Sequence, residues 1–192
     1  VYLSTTIAGF LADRLYGYAK VAFIGGIFIL IGHLTMALSN FSFSLFYFGL
    51  GCIATGTGLL KPNVSVMVGK LYSDEHEDMR VQGFNIYYMG INIGAVIAPT
   101  AVGFVAEKVA WHAGFGLAAI GMALGLYIFK RGEKEFPANC KVANNQLINS
   151  RFAGIKLNVW VYVMLLALAA IFATLLANPI QSTVVSGICL LI

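Results

Sequence analysis

At 192 residues, with 59% hydrophobic and 10% charged residues and a mean hydropathy of +0.84, the chain is unlike a soluble domain, in which about a quarter of residues are charged. It reads as an all-α polytopic membrane protein, so the net charge of +4 belongs to membrane topology and not to nucleic-acid binding. Cys52, Cys140 and Cys189 have neither paired nor metal-type spacing, and two of them sit in apolar runs, so they read as inert core thiols.

The first apolar run, residues 1–12, would make about 18 Å of helix, too short for a hydrocarbon core of about 30 Å. The chain is therefore expected to begin inside a helix. Arg14 follows this run instead of preceding it, against a cleavable signal peptide. Further runs at 19–38, 43–69, 84–105, 111–129 and 157–177 are each long enough to span. The last apolar stretch, 183–192, stops after 10 residues, so both ends read as truncated. Between the spans, 72–80 is expected to be a short acidic loop. The segment 130–156, which carries Pro137, Asn144, Asn145 and Asn149, is expected to be a long mobile connection and the one domain boundary. Gly90 with Gly94, and Gly121 with Gly125, have the spacing of close helix approach.

If the segment after the first run faces the cytoplasm, then Arg14, Lys20, Lys70, Arg80, Lys130, Arg131, Lys134, Lys141, Arg151 and Lys156 share that side, with Lys108 outside. The twelfth cation, Lys61, lies within a span. An ammonium at such depth costs roughly 2.5 to 3.5 kcal/mol on insertion scales unless it meets partners or water. Thr57, Lys61 and Ser65 recur every fourth residue, on one helical face. Pro62 is expected to bend the helix beside the lysine. Two readings stay open. The span could end at Leu60, with Lys61 snorkelling and Lys-Pro-Asn forming an interfacial turn, or it could continue through the apolar 64–69, burying the lysine. All eight carboxylates fall in loops or at helix ends, so a buried Lys61 needs a counter-charge from elsewhere. In the fourth run Asn85, Tyr88 and Asn92 share a face. Buried asparagines need partners, so that face meets water or another polar surface.

Several stretches resemble a known family. Gly9-Phe10-Leu11-Ala12-Asp13-Arg14-Leu15-Tyr16-Gly17 resembles the loop between the second and third helices of major facilitator transporters. One extra residue between Arg14 and Gly17 makes it similar to the proton-dependent oligopeptide transporter family. Gly56-Thr57-Gly58-Leu59-Leu60-Lys61-Pro62-Asn63-Val64-Ser65 and Gly83-Phe84-Asn85-Ile86-Tyr87-Tyr88-Met89-Gly90-Ile91-Asn92-Ile93-Gly94-Ala95 resemble that family's fourth and fifth helices. Gly32-His33 and Trp111-His112-Ala113-Gly114-Phe115 are similar to it as well.

The resemblance implies a major facilitator N-terminal bundle truncated at both ends. Residues 1–129 would belong to the six-helix bundle, 130–156 to a cytoplasmic linker, and 157–192 to an additional hydrophobic hairpin or, for 157–177, the family's seventh helix. It implies proton-coupled uptake of di- and tripeptides by alternating access across the plasma membrane. Lys61, Tyr88, Asn92 and Tyr2 would bind substrate and couple protons; Gly9, Asp13, Arg14 and Gly17 would gate. The implied partners are a di- or tripeptide, protons, the lipid bilayer and the missing helices of the parent transporter. No cofactor is expected, the proton gradient being the energy source. The alternatives are a carrier for another solute and a non-transporting remnant or scaffold. An intramembrane enzyme is disfavoured, because no Ser/His pair, carboxylate pair or metal cluster converges within the spans.

Overall fold

The computed structural model describes residues 2–39, 42–72, 77–141, 150–152 and 155–178. The expectations placed on Asp74, Glu75, Asn144, Asn145, Asn149, Cys189 and the apolar stretch 183–192 lie outside the described residues. Helix α1 spans Tyr2–Leu11, α2 Tyr18–Ala37, α3 Phe43–Lys70, α4 Glu77–Lys108, α5 Trp111–Gly132, α6 Ala138–Lys141 and α7 Leu157–Ala177. Five of them, α2, α3, α4, α5 and α7, are long and apolar enough to cross a membrane. Two two-residue strands, β1 Arg151–Phe152 and β2 Ile155–Lys156, pair antiparallel just before α7.

Helices α2 and α3 form the centre, and glycine sets their separation. Lipid tails are as apolar as leucine, so helices in a bilayer associate through close packing and buried polar contacts. A Cβ on Gly25 would lie 2.7 Å from the Gly56 carbonyl oxygen, and one on Gly32 2.7 Å from that of Gly49. The two pairs stand seven residues apart in each helix, the repeat that keeps one seam facing its partner along an antiparallel pair. On another side of α3, Gly51 lies against the backbone of Ala169 and seats α7. Leu59 and Cys52 of α3, Leu165 of α7 and Tyr16 fill the core between α1, α2, α3 and α7. Buried Ser4 adds a polar tie, donating from Oγ to the Ala54 carbonyl at 3.3 Å.

The expected glycine pairs do not do this work. Gly90, Gly94, Gly121 and Gly125 have nothing within 4 Å of an added Cβ. They lie on faces of α4 and α5 that the described residues leave open. The close approach at the far end of α4 is instead Gly114 against the Val102 carbonyl, 3.0 Å from an added Cβ.

Three connections differ from expectation. Helix α4 starts at Glu77, inside the stretch expected to be an acidic loop. Acidic residues at a helix N-terminus complement its dipole, so the helix outruns its apolar segment. Residues 133–135 form a 3₁₀ turn and 138–141 the short helix α6. The start of the expected mobile connection is thus docked: Cys140 is fully buried against Ala19, Ala22 and Met67. Finally, Ala12–Tyr16 forms a π-helical turn where a loop was expected.

Candidate functional site

Helix α3 is capped by Ser42, whose hydroxyl accepts the Ser44 amide at 3.2 Å. It then runs unbroken to Lys70 with Pro62 inside it. The interfacial turn at Lys-Pro-Asn does not form, and the helix continues past the lysine. Lys61 stands nine residues from the Lys70 end, about 14 Å along the axis. It is exposed, flanked by half-buried Thr57 and Ser65, and makes no ion pair or hydrogen bond among the described residues. The described carboxylates, Asp13, Asp78, Glu107, Glu133 and Glu135, sit at helix ends or in connections.

The residue that sequence reasoning missed is Asn63, 2% exposed on the packed side of α3. Its Nδ2 donates to the Leu59 carbonyl at 2.6 Å, one turn back. A polar residue directly after a helix-interior proline was the available signal, since proline disturbs the carbonyls of the preceding turn. Thr55 is fully buried too, and its Oγ1 has no hydrogen-bond partner among the described residues.

Along α4, Asn85, Tyr88 and Asn92 are all exposed. Tyr88 stacks on Phe84 with centroids 6.3 Å apart and touches the Tyr87 ring at 5.5 Å. Helix α4 approaches α3 where Phe84 and Arg80 pass Gly69, and it meets α5 near Val102 and Ala106. Between those two regions its polar face has no partner among the described residues. No hydrogen bond joins Lys61 to Tyr88 or Asn92 among the described residues. Tyr2 lies in the first turn of α1, and its side chain lies outside the described residues.

The expected gating residues gather at the end of the bundle that carries Lys20, Lys70 and Lys130. The π turn closes with the Gly17 amide donating to the Ala12 carbonyl at 3.1 Å, a hydrogen bond that spans one residue more than an α turn. Gly17 follows at φ 78°, ψ 156°, a region essentially reserved for glycine. Across this corner the Tyr18 hydroxyl donates to Asp13 Oδ1 at 2.5 Å. Arg14 is exposed, without an ion-pair partner among the described residues, at the rim of an apolar groove of about 850 Å³ between α1 and α7. Gly9 has open space where a Cβ would stand. Tyr16, buried in the same turn, donates its hydroxyl to Asn158 Oδ1 at 2.5 Å and ties the corner to α7. Burial, and after it Tyr162, push its pKa up to about 12, so it stays a donor.

The PTR2 model, described as the POT family, matches residues 19–186. The chain belongs to the POT family. Among relatives of this POT chain, the "Uncharacterized transporter YclF" of Bacillus subtilis (strain 168) is 43% identical over 173 residues, 90% of this chain and 34% of that protein. The "Di-/tripeptide transporter" of Lactococcus lactis subsp. lactis (strain IL1403) is 40% identical over 180 residues, 93% of this chain and 36% of that protein. Among solved structures, a mutant of peptide transporter POT in complex with alafosfalin is 36% identical, with a TM-score of 0.66 over 92% of this chain and 35% of the other. This POT chain thus spans about a third of the length of the relatives it matches. Family and apolar helices together make it a multi-pass membrane protein, in keeping with the plasma membrane.

Proposed function

We propose that the protein to which this chain belongs is a secondary active symporter, coupling proton entry to uptake of di- and tripeptides by alternating access between two helical bundles. The observation that carries this reading is Lys61: an exposed ammonium on a 28-residue spanning helix, with no carboxylate partner among the described residues. Such a cation is a natural anchor for a peptide carboxylate, because a charge-assisted hydrogen bond gains most where water is scarce. Tyr88 and Asn92 would form the polar wall opposite, with Tyr2 adding a third contact. Asp13, Arg14 and the glycines on either side, Gly9 and Gly17, would act at the cytoplasmic gate.

The relatives are transporters, two of them named for peptides, which favours transport over a scaffold or an enzyme. The proton gradient would supply the energy, with no cofactor. The remaining helices of the transporter would complete the cavity and recognise the peptide's amino end. The test is uptake of a labelled dipeptide into proteoliposomes holding the full-length protein, with and without an inward proton gradient. Accumulation that needs the gradient and is competed by unlabelled dipeptide is expected. Uptake indifferent to the gradient would remove the coupling, and uptake of other solutes but no peptide would remove the substrate class.

A further inference from the structure

At the end of the bundle that carries most of the cations, a cavity of about 380 Å³ opens between α2, α5, α6 and α7. Three lysines from three elements line it: Lys20 in the first turn of α2, Lys130 in the last turn of α5, and Lys141 closing α6. Two are poised over aromatic rings. Lys20 Nζ stands 4.7 Å from the centroid of buried Tyr16, whose hydroxyl is held by Asn158. Lys130 Nζ stands 5.4 Å from that of Phe23 and pairs with Glu133, the one carboxylate of the lining among the described residues. Lys141 donates to the Lys134 carbonyl at 3.3 Å. Among the described residues, three ammoniums against one carboxylate leave the cavity with two positive charges in excess. The stretch 142–149 that follows Lys141 contains no acidic residue to offset them.

The apolar part of the lining follows α2 toward the bilayer centre through Phe23, Ile24 and Ile27, and Tyr162 of α7 borders it. Ile27 lies two turns beyond Lys20, about 10 Å along the axis, and Phe23 is braced by Phe129 of α5, their rings stacked 6.3 Å apart. A soluble anion would use the lysines and leave this wall idle. A phospholipid would use both, its phosphate among the ammoniums and an acyl chain along the wall. On the positive-inside assignment this end faces the cytoplasmic leaflet, where anionic lipids concentrate and basic pockets between helices hold their head groups.

We propose that the cleft formed by Lys20, Lys130, Lys141 and the Phe23–Ile27 face of α2 is a binding site for an anionic phospholipid of the cytoplasmic leaflet. It does not depend on the transported solute.

The test uses the full-length transporter purified in neutral detergent, with bound lipid counted by native mass spectrometry after titration with phosphatidylglycerol or phosphatidylethanolamine of matched chains. Phosphatidylglycerol retention should fall about tenfold in K20Q/K130Q/K141Q, with phosphatidylethanolamine unchanged. It should stay near the wild-type level in K70Q/K134Q/K156Q, which removes equal charge outside the cleft. Equal losses in both variants, or in neither, would overturn the proposal. Displacement of the lipid by millimolar glycerol phosphate would mark a soluble-anion site and overturn it as well. A measurement on the unmutated protein guards against a variant that fails to fold. A photoreactive phosphatidylglycerol should label α2 and α5 within 16–30 and 122–133, and labelling confined to other segments would refute the site.

Discussion

Gly25 and Gly56 meet backbone to backbone: a Cβ on Gly25 would stand 2.7 Å from the Gly56 carbonyl oxygen, and one on Gly56 2.5 Å from that of Gly25. Each helix supplies the surface on which the other rests, and Gly32 and Gly49 repeat the arrangement two turns away. An alanine at either member of the first pair pushes first against the partner's backbone, with Leu59 Cβ or Ile29 Cγ1 only 2.8 Å away as well. Gly25→Ala and Gly56→Ala should each cost about 1 to 3 kcal/mol through overpacking, read as a melting temperature several degrees lower for the full-length protein in detergent. Melting unchanged in both would show that the helices do not pack through this seam.

Gly17 tests the corner between α1 and α2. Its φ of 78° with ψ of 156° strains any side chain, so Gly17→Ala should destabilise by about 1 to 3 kcal/mol. Asp13→Asn keeps the backbone but loses the charge on the acceptor of the Tyr18 hydroxyl, and should cost less. Thermal melting of the two variants side by side gives the order, and Asp13→Asn proving the worse would contradict this account of the turn.

The spans were legible because hydrophobic length is a strong signal. The runs expected at 19–38, 43–69, 111–129 and 157–177 became helices within a few residues of those bounds. Hydropathy could not tell where α4 begins, since its first turns are polar. Nor could it locate the packing seam. Spacing of four within one helix drew attention to Gly90 and Gly94, whereas the seam between α2 and α3 uses a spacing of seven shared between the two helices, which shows only once their pairing is known. At the candidate site, the unbroken course of α3 through Pro62 decided what the sequence left open about the turn at Lys61. Asn63 escaped notice because its partner is its own backbone one turn back.

Cys140 probes the docking of α6. Its thiol is fully buried, and burial raises its pKa against the lowering influence of Lys70 and Lys141. A raised thiol pKa leaves less thiolate at a given pH, and the thiolate is the reactive form. In native membranes at pH 8, maleimide should therefore modify Cys140 much more slowly than after unfolding in dodecyl sulfate. Equally fast modification in both would mean that α6 does not stay docked on α2 and α3.

The central claim rests on Lys61, and uptake by the full-length protein carrying Lys61→Gln is its most direct test. Glutamine keeps the length of the side chain and a donor but removes the charge. Losing a charge-assisted contact should weaken peptide binding about tenfold or more. Gradient-driven accumulation of a labelled dipeptide should fall to background, while membrane insertion and melting temperature stay near those of the unchanged protein. Uptake that persists in Lys61→Gln with an unaltered dependence on pH would contradict the account.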